Sequence, residues 1–426
     1  MKRCKWLMMS SVLLLLMWSC SSDNDAPENG EEVPILLSSS FSSATRASHE
    51  DEIDPEATAA LRNFWVYGYK TIAGNDIQMM NQQLVSRDAA SSPWTYSPLK
   101  YWDRAASNYR FVGYTPNNGV SINNDTKVLS FSQIPQWQPY SPENDYMVAT
   151  STNSPGYYLS SANLFGSGYV HLDFTHILSK LTIKAYCPSN SEEGVGNVQY
   201  QVKSISLGSY GWWRDALGGF YQQSHGLPPE KKDGNTYTLT GTYNCTRDFT
   251  SDSRVENSDN PYISHYNPSA ASAQTSVDLF KVTDDKDTKL ISPYQGSATE
   301  VCSWLIAPFR LSDMGYEKND AAGVLLKDAC FTLDVTYVSK KTQFIEGSAT
   351  ETEDVYTEMH TSQPVRLVST AEDGTQTPYF DSFEYNKEYI VTLKIDRAAI
   401  EVLVDVAITP WNPTSTDASP RDVYNW

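Results

Sequence analysis

Toward its C-terminal end the chain repeats apolar residues at a strict period of two. Tyr389, Val391, Leu393 and Ile395 fall on one side, with Ile390, Thr392, Lys394 and Asp396 on the other. After a break at 397–399 the pattern resumes: Ile400, Val402, Val404, Val406 and Ile408 alternate with Glu401, Leu403, Asp405 and Ala407. Extended backbone puts every second side chain on one face, whereas a helix of about 3.6 residues per turn would scatter them around its axis. Upstream, Val170, Leu172 and Phe174 alternate with His171, Asp173 and Thr175, and after 175–179 Leu181, Ile183 and Ala185 do the same. Residues 64–69 read as a buried strand, and 109–114 as one ended by the turn signal Pro116-Asn117-Asn118-Gly119. Further strand texture lies at 202–207, 301–311 and 329–338. No amphipathic helical pattern of comparable length is present. The chain is therefore expected to be all-β, with short strands stacked as sandwiches.

Length then bounds the organisation. A β-rich chain of 426 residues suggests two domains, with a soft boundary near 210. The stretch 211–300, rich in Ser, Asn, Asp and Gly, is expected to hold long loops or insertions. Lys and Arg number 32 against 51 Asp and Glu, a formal net charge of −19. That balance argues against nucleic-acid binding, which needs a basic stripe facing the phosphates.

The N-terminus has a different character. Lys2, Arg3 and Lys5 precede an almost continuous apolar run over 7–18, the pattern of a secretory signal peptide in 1–19 and too short to span a bilayer comfortably. Cys20 directly follows Ser19, as in a bacterial lipobox, where the thiol is acylated. The competing reading is an ordinary signal peptide with an incidental Cys, and Trp18 is bulkier than a strict lipobox favours. Residues 20–46 are Ser-rich and carry five acids against one Arg. They read as a tether, apart from 33–37, which could pair as a short strand. Thr45-Arg46-Ala47 sits just before the folded region, where an exposed Arg is open to a trypsin-like protease, as any linker Arg would be.

No constellation carries recognisable chemistry. The six His make neither HExxH nor a close metal pair, and GxSxG, P-loop and dinucleotide fingerprints are missing. No catalytic residue, metal site or cofactor is assigned, and an enzyme is not expected. His176 reads as a packed or hydrogen-bonded strand-end residue. Cys187, Cys245, Cys302 and Cys330 form no CxxC; they allow three disulfide pairings or four free thiols. Trp212-Trp213, among Gly208, Gly211, Gly218 and Gly219, is the candidate ligand surface, with flat rings on a Gly-rich loop. The plainer reading has one Trp plugging a domain interface and the other half-buried.

Several segments in order resemble the fimbrillin family of Bacteroidales, lipid-anchored precursors of type V pilins. These are Cys20 with its acidic, Ser-rich sequel; Thr45-Arg46-Ala47; Trp94 through Lys100-Tyr101-Trp102, followed by Tyr109-Arg110-Phe111-Val112-Gly113-Tyr114-Thr115-Pro116; Leu172-Asp173-Phe174-Thr175-His176-Ile177-Leu178-Ser179-Lys180-Leu181-Thr182-Ile183; and Tyr385-Asn386-Lys387-Glu388-Tyr389-Ile390-Val391-Thr392-Leu393 with 406–411. Residues 211–300 match no family pattern. The resemblance implies two tandem transthyretin-like β-sandwich domains with long loops, over 47–210 and 211–426, behind a propeptide of 20–46. It implies acylation at Cys20, export to the outer-membrane surface, and cleavage between Arg46 and Ala47 by a trypsin-like surface protease. Other pilin subunits would then join by donor-strand exchange, with Ile400, Val402, Val404, Val406 and Ile408, or the tail after Trp411, as the candidate donor. The product would be a structural or tip subunit of a fimbria that mediates adhesion to a host or glycan ligand. A rival reading is a non-polymerising surface lipoprotein that binds glycans.

Overall fold

A computed structural model describes residues 33–41, 61–89, 91–125, 128–135, 137–151, 169–190, 194–214, 220–223, 241–248, 263–268, 277–310, 325–360, 365–374, 376–395 and 402–411. The fold is all-β, as the alternation requires; among the described residues the only helical elements are short 3-10 turns. A six-stranded sheet runs in the order Leu36–Phe41, Tyr169–His176, Met147–Ser151, Asn108–Thr115, Asn63–Ile72, Asn75–Ser86. A five-stranded sheet runs Val402–Pro410, Lys387–Ile395, Ser179–Tyr186, Thr299–Ile306, Trp137–Pro139. In a third sheet Val198–Arg214 and Leu325–Phe344 pair antiparallel over most of their length, flanked by Phe220–Gln223 and Thr352–His360. A fourth is built on Val128–Pro135 and Gly241–Asp248.

The six-stranded sheet is covered on both faces, which explains why its central strands read as nearly unbroken apolar runs. Phe64, Val66, Phe111, Ala149, Leu172 and Phe174 point into one core. Tyr67, Tyr69, Val112, Tyr114 and Val148 point into the other, shared with Leu181, Ile183, Leu333, Val391 and Leu393 from the remaining sheets. The chain passes between the first two sheets through Ile177 and Leu178, both wholly buried. Ser179–Tyr186 then lies antiparallel to Thr299–Ile306 and parallel to Lys387–Ile395.

Gly113 marks the tightest approach in the first core. A Cβ there would stand 3.0 Å from both Leu172 Cδ1 and Phe174 Cζ. Gly113→Val is therefore expected to cost about 1–3 kcal/mol through overpacking, read as a lowered denaturant midpoint at unchanged slope.

Two expectations shift. The stretch 211–300 is not simply loop: Val198–Arg214 extends into it, and Phe220–Gln223, Gly241–Asp248, Ile263–Pro268 and Val277–Lys281 are strands. The cause is pairing with long neighbours, because side-chain context overrides weak local preference in a sheet. For the same reason Trp212 and Trp213 sit on a strand rather than a Gly-rich loop, Trp212 opposite Gln222 and Trp213 opposite Tyr221 and Leu326. Cys187, Cys302 and Cys330 are not in disulfides, and burial first, with the Glu300 charge, pushes the Cys302 thiol up to about 12.

Candidate functional site

The segment 33–41 crosses the edge of the first sheet. Leu36–Phe41 lies parallel to Tyr169–His176, in the register Leu37 to Val170 and Ser39 to Leu172. Ile35 and Leu37 are 0% and 3% exposed and enter the same core as Leu172 and Phe174. Burying such side chains contributes roughly 1.5–3 kcal/mol each. Without this segment, the apolar face of Val170, Leu172 and Phe174 would open as a groove at the sheet edge. The strand begins a few residues later than its apolar run suggests, because 33–35 is gripped from the other side by 94–102.

That grip uses the aromatic motif. Ile35 donates its N–H to Lys100 O at 2.8 Å, and Trp102 donates its N–H to Val33 O at 2.9 Å. Tyr96 Oη donates to Ile35 O at 2.6 Å, while Trp94 and Tyr96 pack against the core and Trp102 is buried in it. Lys70 Nζ reaches Asp103 Oδ2 at 2.6 Å and ties this clamp to the sheet. The hydrogen bond from Lys70, then that from Ala105 N, holds the Asp103 carboxyl below its ordinary value. Because the folded value is depressed, the stabilisation is present above the unfolded carboxylate value of about 4 and is lost as pH falls through the lower folded value. Lys70→Met should flatten the stability profile in that acid window and leave its neutral-to-alkaline shape alone, as checked by urea unfolding across pH.

The fit of 33–41 is incomplete on its inner face. Ser38 Oγ lies 2.8 Å from His171 Nδ1, yet Ser39 Oγ is buried without a hydrogen-bond partner among the described residues. An unsatisfied buried hydroxyl costs about 1–3 kcal/mol. An apolar side chain at that position in another strand would avoid the cost.

A second edge lies at the other end of the chain. Among the described residues Val402–Pro410 pairs only with Lys387–Ile395 and closes the five-stranded sheet. The inner strand buries Tyr389, Val391, Leu393 and Ile395 almost completely. On the outer strand Val404 and Val406 are only partly buried, and Leu403 and Ile408 are 57% and 42% exposed. Trp411 ends this strand by stacking on His176 with ring centroids 3.8 Å apart. His176 Nδ1 also meets Asp145 at 2.9 Å, with both side chains buried, the packed strand-end role expected of it.

Cys20, Arg46, Ala47 and Ile400 lie outside the described residues, as do the side chains of Val402, Trp212 and Trp213. The structure brings 33–41, 94–102 and 169–176 into one site and leaves Val402–Pro410 at a separate edge. Sequence reasoning missed Tyr96 as a clamp, Ser38 with His171, and the unsatisfied Ser39. The aromatic spacing of 94–102 was the available signal. Among the described residues no group of three or more His, Cys, Asp or Glu is placed to hold a metal ion, and no helix is long and apolar enough to cross a membrane.

An all-β chain with a strand-filled edge and an open terminal edge is the class these features define. Residues 45–210, fewer than half of the chain, match the model of a family described as fimbrillin-like. Among solved structures the chain is similar to a fimbrial protein from Bacteroides vulgatus, at 14% identity and a TM-score of 0.46, covering 89% of this chain and 99% of that one. It is also similar to the tip fimbrial protein Mfa3 from Porphyromonas gingivalis with C-terminal truncation, at 11% identity and a TM-score of 0.32, covering 83% and 97%. No curated protein matches.

Proposed function

We propose that this chain is the precursor of a structural or tip subunit of a cell-surface fimbria, and that 33–41 is a temporary filler of its assembly groove. The observation that carries this reading is the burial of Ile35 and Leu37 in the first core, on a segment joined to the rest of the chain through a linker containing Arg46. In this account Cys20 is acylated and anchors the precursor to the outer membrane. A trypsin-like surface protease cuts between Arg46 and Ala47, and 20–46 leaves with the lipid. A strand from the next subunit then takes the vacated edge by β-strand addition, with backbone hydrogen bonds supplying affinity and alternate side chains fixing register. Filling the edge until export is complete avoids an open, aggregation-prone strand. The half-covered edge of Val402–Pro410 supports this strand, or the tail after Trp411, as the donor. The division into 47–210 and 211–426 is part of the proposal; Val198–Arg214 runs across that boundary, and Ser179–Tyr186 lies in the second sheet beside C-terminal strands, so the two halves share sheets. The family points to a structural rather than enzymatic role.

The test is limited digestion of the full chain with trypsin. An early single cut after Arg46, followed by oligomer ladders that resist heating in detergent, is the expected result. A cut product that stays monomeric while binding glycans would instead favour the non-polymerising lipoprotein, with Trp212 and Trp213 as its candidate ligand surface.

A further inference from the structure

A cleft of about 700 Å³ lies where the first sheet meets the second. Trp65 from the first sheet, Tyr140 from the turn after Trp137–Pro139, and Trp411 at the end of the closing strand line it. Its size falls within the roughly 300–1,000 Å³ of small-molecule sites, which combine apolar walls with a few convergent polar groups. Trp65 is only partly buried and Tyr140 is 37% exposed, so both rings offer surface to the cleft.

The charges in this cleft are largely spent on one another. Lys180 Nζ pairs with Glu388 Oε1 at 3.1 Å and sits 4.6 Å from the Tyr140 ring centroid, while Thr182 also donates to Glu388 at 2.7 Å. Asp145 is engaged by His176. Burial, then the nearby Asp145, Glu388 and Glu300 charges, pushes the Tyr140 hydroxyl up to about 12, so it remains a neutral donor. At the rim Arg62 and Glu143 carry opposite charges, and neither has an ion-pair partner among the described residues. The two rim charges are of opposite sign and exposed to water, and inside the cleft a charged ligand would have to displace existing pairs to find its counter-ion, at a desolvation cost. A neutral ligand with an apolar face and a hydroxyl edge meets no such conflict. The exposed surfaces of Trp65 and Tyr140 take its C–H groups, with the buried Trp411 as part of the wall, while Arg62, Asn63, Ser141 and Glu143 offer donors and acceptors to its hydroxyls.

We propose that the cleft between Trp65, Tyr140 and Trp411 is a binding site for a neutral saccharide unit of about disaccharide size. Trp411 ends the candidate donor strand, but the test uses the uncleaved chain, in which that strand is in place, so the two readings fail separately. The test titrates the full-length protein with lactose, cellobiose, maltose and chitobiose, with sialyllactose and a heparin disaccharide as charged probes, by calorimetry and tryptophan fluorescence. At least one neutral disaccharide should bind saturably. Trp65→Ala should weaken it by about tenfold or more, which is about 1.4 kcal/mol. Because Trp65 also packs on the core, the double variant Arg62→Ala and Glu143→Ala serves as a second reading. It should weaken binding several-fold at an unchanged melting temperature. Arg46→Ala should leave binding intact. Failure of all four neutral sugars to bind at millimolar concentration would overturn the proposal. So would binding confined to the charged probes, or affinity unchanged in both cleft variants.

Discussion

Replacing Ile35 and Leu37 together by Ala is expected to lower the melting midpoint of the uncleaved chain by roughly 10 °C or more. Each truncation of a buried aliphatic side chain costs about 2–5 kcal/mol, and each kcal/mol moves the midpoint of a domain of this size by about 2–4 °C. Both residues are almost fully buried in the first core, and the sheet edge they fill has no other cover among the described residues. The effect should be confined to the precursor. Once 20–46 has left and a neighbour's strand occupies the edge, assembled oligomers of variant and parent should be equally resistant to heat. The variant should also assemble faster per cut chain, because its filler is held less tightly. Calorimetry before and after trypsin treatment checks both points. Variant oligomers destabilised as much as the variant precursor would mean that the segment stays in the subunit for good.

Arg46→Ala carries the second large effect. It should abolish the early tryptic cut and with it all oligomer formation, while leaving the uncleaved fold unaltered. Surface and linker substitutions usually change stability by no more than about 0.5 kcal/mol, so the melting curve should overlay that of the parent. Detergent gels after a trypsin time course read the first outcome and circular dichroism the second. Normal ladders from an uncut variant would remove cleavage from the mechanism, and an unfolded variant would give Arg46 a structural role instead.

The legible parts of this fold were those whose period matched their burial. Tyr389, Val391, Leu393 and Ile395 alternate because one face is sealed in a core, so the pattern survives in the sequence as a clean period of two. The strand Val402–Pro410 was equally legible, yet its alternation gave no hint that Val404 and Val406 are only partly covered. Periodicity reports which side faces inward and not how much lies over it. The short apolar run at 33–37 showed that a strand could form, but its parallel pairing with Tyr169–His176 and its clamp at Lys100 and Trp102 come from residues far away in the chain. Trp94, Tyr96 and Trp102 lie at even separations, yet the backbone through them is bends and isolated bridges and not a strand, since their positions answer to the backbone they grip. Trp212 and Trp213 looked like loop residues because Gly208, Gly211, Gly218 and Gly219 surround them; pairing with Leu325–Phe344 outweighs that local signal.

The central claim is that 33–41 must leave before a neighbour can bind. Ser38 and His171 face each other in register, with side chains 2.8 Å apart, so Ser38→Cys with His171→Cys places two thiols across adjacent strands, within the range a disulfide can bridge. The oxidised double variant should be cut after Arg46 at the normal rate, retain its N-terminal peptide by mass, and form no oligomers. Reduction should release the peptide and restore the ladder. Ladders that form equally well with the disulfide intact would contradict the account, because the groove would then never have needed to empty.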